Sequence, residues 1–98
     1  MDIIIQSLGF TAGDDLEAFI REKLQKFDRE PNIIRANVTL YTGSQSNPNW
    51  GYCEIRLEVP GNDLFVKRNS DSFEKAIVAT INTLQKNLHK AKEKHPDR

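Results

Sequence analysis

Three lysines near the end of the chain have a type and a spacing suited to binding phosphate groups. Lys86, Lys90 and Lys94 recur every four residues in the stretch "QKNLHKAKEKHPDR". In a helix of 3.6 residues per turn this spacing keeps them on one stripe, about 200° from Leu84 and Leu88. The same pattern is typical of a solvated helix end, because lysines there interact favourably with the helix dipole. Charge spacing alone therefore leaves anion binding and simple solvation open.

The net charge of the chain does not by itself indicate a nucleic-acid ligand. The 98 residues hold 14 Lys and Arg against 14 Asp and Glu, whereas a nucleic-acid-binding domain is usually basic. The charge is unevenly distributed, however. Residues 84 to 98 carry a net charge of +3, so the rest of the chain carries −3. The end of the chain is thus the basic region of an otherwise acidic sequence.

The other residues that could do chemistry do not form a catalytic or metal-binding pattern. Cys53 falls on the apolar register of a predicted strand, where a buried thiol is expected, and a single cysteine cannot form an internal disulfide. His89 and His95 are six residues apart, which does not place two metal ligands on one helical face. The glycines match neither a phosphate-binding loop nor a dinucleotide fingerprint. We therefore expect neither an enzyme nor a bound cofactor or metal.

Tyr41, Tyr52 and Trp50 are candidate aromatic residues of the outer sheet face, where RNA-binding sheets stack bases. Their spacing does not match the RNP motif of RRM domains. An RRM also ends on a strand, whereas this chain is predicted to end on a helix. Cross-strand packing is therefore the favoured interpretation of these residues.

Hydrophobic periodicity predicts four strands and two helices around the candidate residues. The stretch "DIIIQS" predicts a strand, and "TAGDDLEAFIREKLQKFDRE" has apolar residues at helical spacing after acidic residues that suit a helix N-terminus. The stretches "IIRANVTLY" and "WGYCEIRLEV" alternate between apolar and polar residues, as half-buried strands do, and "DLFVKRN" predicts a fourth strand. A second amphipathic helix follows, with Asp71 and Glu74 as its predicted cap.

The order β-α-β-β-β-α predicts an α+β fold, a two-layer sandwich. A parallel β-α-β unit followed by an antiparallel meander makes a four-stranded sheet, and the apolar stripes place both helices on one face. A chain of 98 residues with 38% hydrophobic content suits a single domain over residues 1–98. The predicted core consists of Leu16, Ile20, Leu24, Ile34, Val38, Leu40, Ile55, Leu57, Ile77, Ile81 and Leu84. Without a spanning apolar run or a signal-like N-terminus, we expect a cytoplasmic protein with no membrane partner.

The chain resembles a known family in the order and spacing of four short stretches. These are "FIREKLQKF" in the first helix, the turn "VPGNDLF", "SFEKAI" at the start of the second helix and "LQKNLHKAK" near its end. Together they are similar to the ribosome hibernation-promoting factors, also described as ribosome-associated inhibitors or sigma-54 modulation proteins. The resemblance spans nearly the whole chain, and the family's fold has the predicted β-α-β-β-β-α order.

The resemblance implies a protein that binds the small ribosomal subunit across the decoding region, against ribosomal RNA and nearby ribosomal proteins. There it would occupy space used by mRNA and tRNA, and so inhibit translation in stationary phase or under stress. Basic residues of both helices make most of the RNA contacts in that family. With the lysine stripe included, the candidate RNA-binding residues are Lys23, Lys26, Lys86, Lys90, Lys92 and Lys94.

The resemblance further implies a short form, without a C-terminal dimerisation domain and monomeric off the ribosome. The chain is neutral where many relatives are basic, and Val78 and Asn87 replace an acidic residue and a glutamine common at those places. We therefore expect weaker or more salt-sensitive binding than is usual in that family.

Two other readings of the sequence stay open. One is a non-ribosomal RNA-binding module with the topology of double-stranded-RNA-binding domains. The other is a protein-interaction domain that binds independently of the lysines. A small enzyme similar to acylphosphatase would need a final strand and a glycine-rich anion loop with an arginine, both of which this sequence lacks.

Overall fold

The secondary-structure elements follow the predicted order. The computed structural model describes residues 1–43 and 49–93, with side chains described up to residue 90. The strands are β1 (Asp2–Leu8), β2 (Arg35–Thr42), β3 (Gly51–Glu58) and β4 (Leu64–Ser70), and the helices are α1 (Asp14–Leu24) and α2 (Phe73–Glu93). A short 3₁₀ helix, Gln25–Phe27, continues α1. The α+β order β-α-β-β-β-α is therefore confirmed.

The four strands form one mixed sheet in the order β1-β2-β3-β4. β1 and β2 run parallel with α1 as the connection between them, and the other neighbouring pairs run antiparallel. The register places Val38 between Ile5 and Ile55, and Leu40 beside Cys53. Because side chains alternate along each strand, these five residues point to the same face of the sheet.

Both helices pack on that face and close one hydrophobic core. Ile20 and Leu24 of α1 and Ile77, Ile81 and Leu84 of α2 are buried in the same cluster as the inward-facing strand residues. They repeat at intervals of three and four residues, as one face of a helix requires. The predicted two-layer sandwich, with both helices on one face, is the observed architecture.

The predicted core is wrong at Ile34. This side chain is 55% exposed, whereas the neighbouring Ile33 is 5% exposed and belongs to the core. β2 begins only at Arg35, so the alternation that buries Ala36 does not extend back to Ile34. Leu16 is half-buried and packs against the core from its edge.

The cap of α2 is Ser72 rather than the predicted Asp71. The Ser72 hydroxyl accepts a hydrogen bond from the Lys75 backbone N–H at 3.2 Å, which is the usual N-cap arrangement. Asp71 instead forms an ion pair with the Lys75 ammonium at 3.2 Å, one helical turn away. The cap therefore lies one residue later than the sequence pattern indicates.

Gly51 allows the start of α2 to approach the sheet closely. A Cβ at this buried position would lie 2.7 Å from Phe73 Cδ1, which is too short for a real contact. The Phe73 ring also stacks on Phe10, with ring centroids 5.0 Å apart. These contacts attach the N-terminus of α2 to β3 and to the segment after β1, and they fix the end from which α2 extends.

Candidate nucleic-acid interface

Lys86 and Lys90 lie on the solvent side of α2. Both side chains are exposed, whereas Leu84 on the opposite side of the helix is buried. The outward orientation predicted from their spacing is therefore confirmed for these two lysines. Lys92 belongs to α2, but its side chain, like the whole of Lys94, lies outside the described residues.

Lys26 of the 3₁₀ helix reaches across to α2. Its Nζ donates hydrogen bonds to Asn82 Oδ1 at 3.1 Å and to Gln85 Oε1 at 3.3 Å. Lys86 follows Gln85 directly in the sequence, so the Lys26 ammonium lies beside the part of α2 that carries the lysines. The fold thus joins the two basic segments, although 56 and 59 residues separate Lys26 from its two partners.

Lys23 lies one helical turn before Lys26 and packs on an aromatic ring. Its Nζ is 5.3 Å from the centre of the Phe19 ring, which is a cation–π distance. Phe19 in turn lines an apolar groove together with Val78 and Ala79 of α2. This contact keeps the half-exposed Lys23 near the junction of the two helices.

Two shallow grooves flank a ridge on α2 that is formed by Gln85 and His89. The larger groove, about 430 Å³, is lined by Asn82, Gln85, Lys86 and His89. The smaller groove, about 100 Å³, lies between the 3₁₀ helix and α2 and is lined by Lys26, Phe27, Glu30, Gln85, Leu88 and His89. Because Gln85 and His89 line both grooves, they separate the Lys26 side of the interface from the Lys86 side.

Charge patterning does not find three of the residues at this interface, Asn82, Gln85 and His89. None of them carries a formal charge in the neutral count of the sequence. Their spacing of three and four residues, beside the buried Ile81 and Leu84, places them on the flank of the amphipathic helix. This helical position is the signal by which they could have been found.

The arrangement favours the binding of phosphate groups. Lys26 and Lys86 supply positive charge, and the amides of Asn82 and Gln85, whose oxygens accept from Lys26, also carry NH₂ groups that can donate. Glu30 contributes a carboxylate to the smaller groove. Nucleic-acid backbones are bound by this combination of lysine charges and polar side chains. Such a surface neutralises phosphates and does not need to read bases.

Cys53 does not form a nucleophilic site. The side chain is buried in the centre of the sheet, and this burial raises the pKa of its thiol to about 12. A reactive cysteine needs the opposite environment, with partial exposure and a lowered thiol pKa. The interpretation of Cys53 as a buried core residue is therefore confirmed.

The outer face of the sheet carries the aromatic pair Tyr41 and Tyr52. These residues lie opposite each other on β2 and β3, and their rings stack with centroids 5.0 Å apart and planes at 10°. The Tyr41 hydroxyl donates to Glu54 Oε2 at 2.6 Å. Burial, together with this carboxylate, raises the pKa of Tyr41 to about 12. Each ring covers one face of the other, so the interpretation of Tyr41 and Tyr52 as a cross-strand pair is confirmed.

The described part of the chain contains neither a metal cluster nor a spanning helix. Within it, no group of three or more His, Cys, Asp or Glu side chains could hold a metal ion. Its helices are also too short or too polar to cross a membrane.

Comparison with known proteins identifies a family and a fold. Residues 3–96 match the family model described as Sigma 54 modulation protein / S30EA ribosomal protein. No curated protein sequence is significantly similar to the chain. A ribosomal subunit interface protein from Coxiella burnetii shares 19% identity at a TM-score of 0.86, with 96% of this chain and 100% of that chain covered. The Protein Y N-terminal domain from Thermus thermophilus shares 19% identity at a TM-score of 0.79, with 93% and 99% covered.

At 19% identity the two solved structures establish a common fold and no more. The family match is made on the sequence itself and extends from β1 to beyond the last described residue of α2. It therefore includes both helical segments that carry the lysines. Because this match spans nearly the whole chain, the chain belongs to the Sigma 54 modulation protein / S30EA ribosomal protein family.

Proposed function

We propose that the protein is a ribosome hibernation factor that binds the small ribosomal subunit at the decoding region. Its two helical segments contact ribosomal RNA, and nearby ribosomal proteins complete the interface. The bound protein takes the space that mRNA and tRNA need, and it thereby inhibits translation in stationary phase or under stress. Its place of action is the cytoplasm.

The observation that carries the proposal is the contact of Lys26 with α2. Because of this contact we group Lys23 and Lys26 with Lys86 and Lys90 as one proposed binding surface, which we call the two-helix lysine surface. A surface that neutralises several phosphates releases their counterions, and this release favours binding. Dissolved salt screens the repulsion between RNA and acidic residues elsewhere on the protein, and at physiological salt this repulsion extends only about 8 Å. A protein of zero net charge can therefore bind RNA through a local basic surface.

The family supports the ribosome as the partner. Its description names a ribosomal protein, and the Coxiella burnetii structure is of a ribosomal subunit interface protein. Members of this family are binding proteins rather than enzymes. Inhibition by occupancy of a ribosomal site agrees with that character, because it requires binding and no chemical step.

Reversing the charge of two lysines should abolish binding to small subunits. The Lys86→Glu, Lys90→Glu variant removes two phosphate contacts and adds two repulsive charges, while both positions point away from the core. Binding of the wild type should weaken as salt rises, with a logarithmic slope of about −3 for four phosphate contacts. Sedimentation of both proteins with purified small subunits at two salt concentrations measures this difference.

A matched control reverses two basic residues outside the two-helix lysine surface. Lys67→Glu with Arg68→Glu makes the same change in net charge at two exposed positions of β4, and this variant should sediment nearly like the wild type. Circular dichroism checks that both variants fold. If the folded α2 variant still sediments with subunits like the wild type, the lysines are only a solvated helix end. A wild type that binds double-stranded RNA but not subunits would favour a non-ribosomal RNA-binding module.

A further inference from the structure

We propose that Asn82, Gln85 and Lys86 form a binding site for one phosphate group of the RNA backbone, and that Lys26 organises it. The site is the larger of the two α2 grooves. This inference rests on the proposed function, and it assigns RNA binding to two neutral residues in addition to the lysines. Three features support the site: the direction of the two amide groups, the lining of the groove and the position of the Lys26 charge.

Lys26 sets the direction of both amide groups. A lysine ammonium has three donors and no acceptor, so only the carbonyl oxygen of an amide can face it. The bonds to Asn82 Oδ1 and Gln85 Oε1 therefore turn both NH₂ groups away from Lys26. In both bonds the amide oxygen, and not the amide nitrogen, is the group that meets the ammonium. Each amide therefore turns a group with two N–H donors to the side opposite Lys26.

The lining of the larger groove selects the chemistry of that ligand. No carboxylate is found among the described side chains that line this groove. The carboxylate of Glu30 belongs to the smaller groove, on the other side of Gln85. A ligand in the larger groove meets the amide donors and the ammonium of Lys86, so it must offer acceptors and negative charge. The non-bridging oxygens of a phosphate offer both.

The position of the Lys26 charge strengthens the site. The Lys26 ammonium polarises each amide whose oxygen accepts its hydrogen bond. This polarisation strengthens any hydrogen bond that the NH₂ group of the same amide donates. Asn82, Gln85 and Lys86 all belong to α2, within little more than one turn, so one rigid element holds the donors and the charge together. Neutral donors of this kind fix the position of a backbone phosphate, while the lysines attract it from a distance.

Truncating the two amides tests the site. The Asn82→Ala, Gln85→Ala variant should bind purified small subunits about 10-fold more weakly for each lost contact, since each is a hydrogen bond to a charged acceptor. Its salt slope should equal that of the wild type, because neutral donors release no counterions. Lys86→Ala should weaken binding and also reduce the size of the slope by about 0.7 to 0.9. Sedimentation titrations at several salt concentrations measure both quantities.

A matched control removes the same residue types elsewhere. Gln6→Ala with Asn69→Ala truncates two exposed amides on β1 and β4, and it should bind like the wild type. The proposal is overturned if the Asn82, Gln85 variant binds as tightly as this control. A reduced salt slope in that variant would also overturn it, because the amides would then act only by holding Lys26. If the wild type itself fails to bind subunits, the proposed function is refuted, so the two failures are distinguishable.

Discussion

At the scale of single residues, the surroundings of Cys53 decide what its thiol can do. The residue lies on β3, opposite Leu40, and has no exposed surface. Loss of solvation raises the pKa of the thiol from an ordinary value of 9.0 to about 12. The thiol is therefore neutral wherever the protein is folded at ordinary pH, and it contributes to the core as a small apolar group.

This pKa predicts a component of the pH dependence of stability. The pKa of the thiol is higher in the folded protein than in the unfolded chain. The stability that the neutral thiol contributes is therefore complete below pH 9, and it is lost as the pH rises towards 12. Urea unfolding, measured below pH 9 and again near pH 12, should show a larger loss of stability in the wild type than in Cys53→Ala. Tyr41, whose pKa is also raised to about 12, contributes equally to both proteins. Equal losses would contradict the burial of the thiol.

At the scale of elements, the bounds of the strands determine which apolar residues support the helices. Leu57 lies within β3 and is fully buried, whereas Ile34 precedes β2 and is 55% exposed. Both residues are large and aliphatic, so composition does not distinguish them. They form a matched pair for measuring the register of the sheet.

Truncation of these two residues should have very different costs. Leu57→Ala should lower the free energy of unfolding by about 2–5 kcal/mol, because it removes buried methyl groups and leaves a cavity. Ile34→Ala should cost less than about 1 kcal/mol, as exposed positions usually do. Urea unfolding midpoints of the two variants and the wild type give the comparison. A Leu57→Ala midpoint equal to that of the wild type would contradict the observed register.

The second helix combines support of the core with presentation of the interface. Its inner side buries Ile77 and Ile81 against the sheet, and its outer side carries Lys86 and Lys90. Both sides depend on one rigid element, so a shift of the helix would displace the lysines as well. The close contact of Phe73 with β3 therefore stabilises the geometry of the interface although it lies at the far end of the helix.

At the scale of the whole molecule, zero net charge conceals an uneven surface. The basic side chains that the fold gathers come from two segments far apart in sequence, and acidic residues dominate other parts of the chain. Long-range attraction to RNA should consequently be weaker than for a basic protein, because the net charge supplies no steering. The proposed affinity for RNA would then depend on local phosphate contacts, which would make it sensitive to salt.

The proposed binding at the decoding region predicts competition with mRNA and tRNA. With mRNA and tRNA added separately, each at about ten times its own Kd, the apparent Kd of the protein for small subunits should rise about 11-fold if binding is mutually exclusive. Sedimentation titrations with and without mRNA and tRNA measure this rise. The Cys53→Ala variant should show the same competition, because occupancy needs no thiol chemistry. An unchanged apparent Kd would mean that the protein binds elsewhere on the subunit.

The amino-acid sequence by itself determined the order of elements, the helical stripes and the outward position of Lys86 and Lys90. These features follow from periodicities of two and 3.6 residues, which are local properties of the chain. The conformation of Lys86 depends on its own helix, so its exposure could be predicted from the buried Leu84 two residues earlier. The same local reasoning placed Cys53 in the core.

Only the tertiary structure decided which residues meet at the interface. The contact of Lys26 with Asn82 and Gln85 joins residues 56 and 59 positions apart, and no periodicity connects such distant positions. Tertiary structure also decided that Ile33, and not the predicted Ile34, belongs to the core. The reason is that the start of β2 is set by pairing with its neighbouring strands. Contacts of this kind depend on the packing of whole elements, and side-chain identity at one position does not determine them.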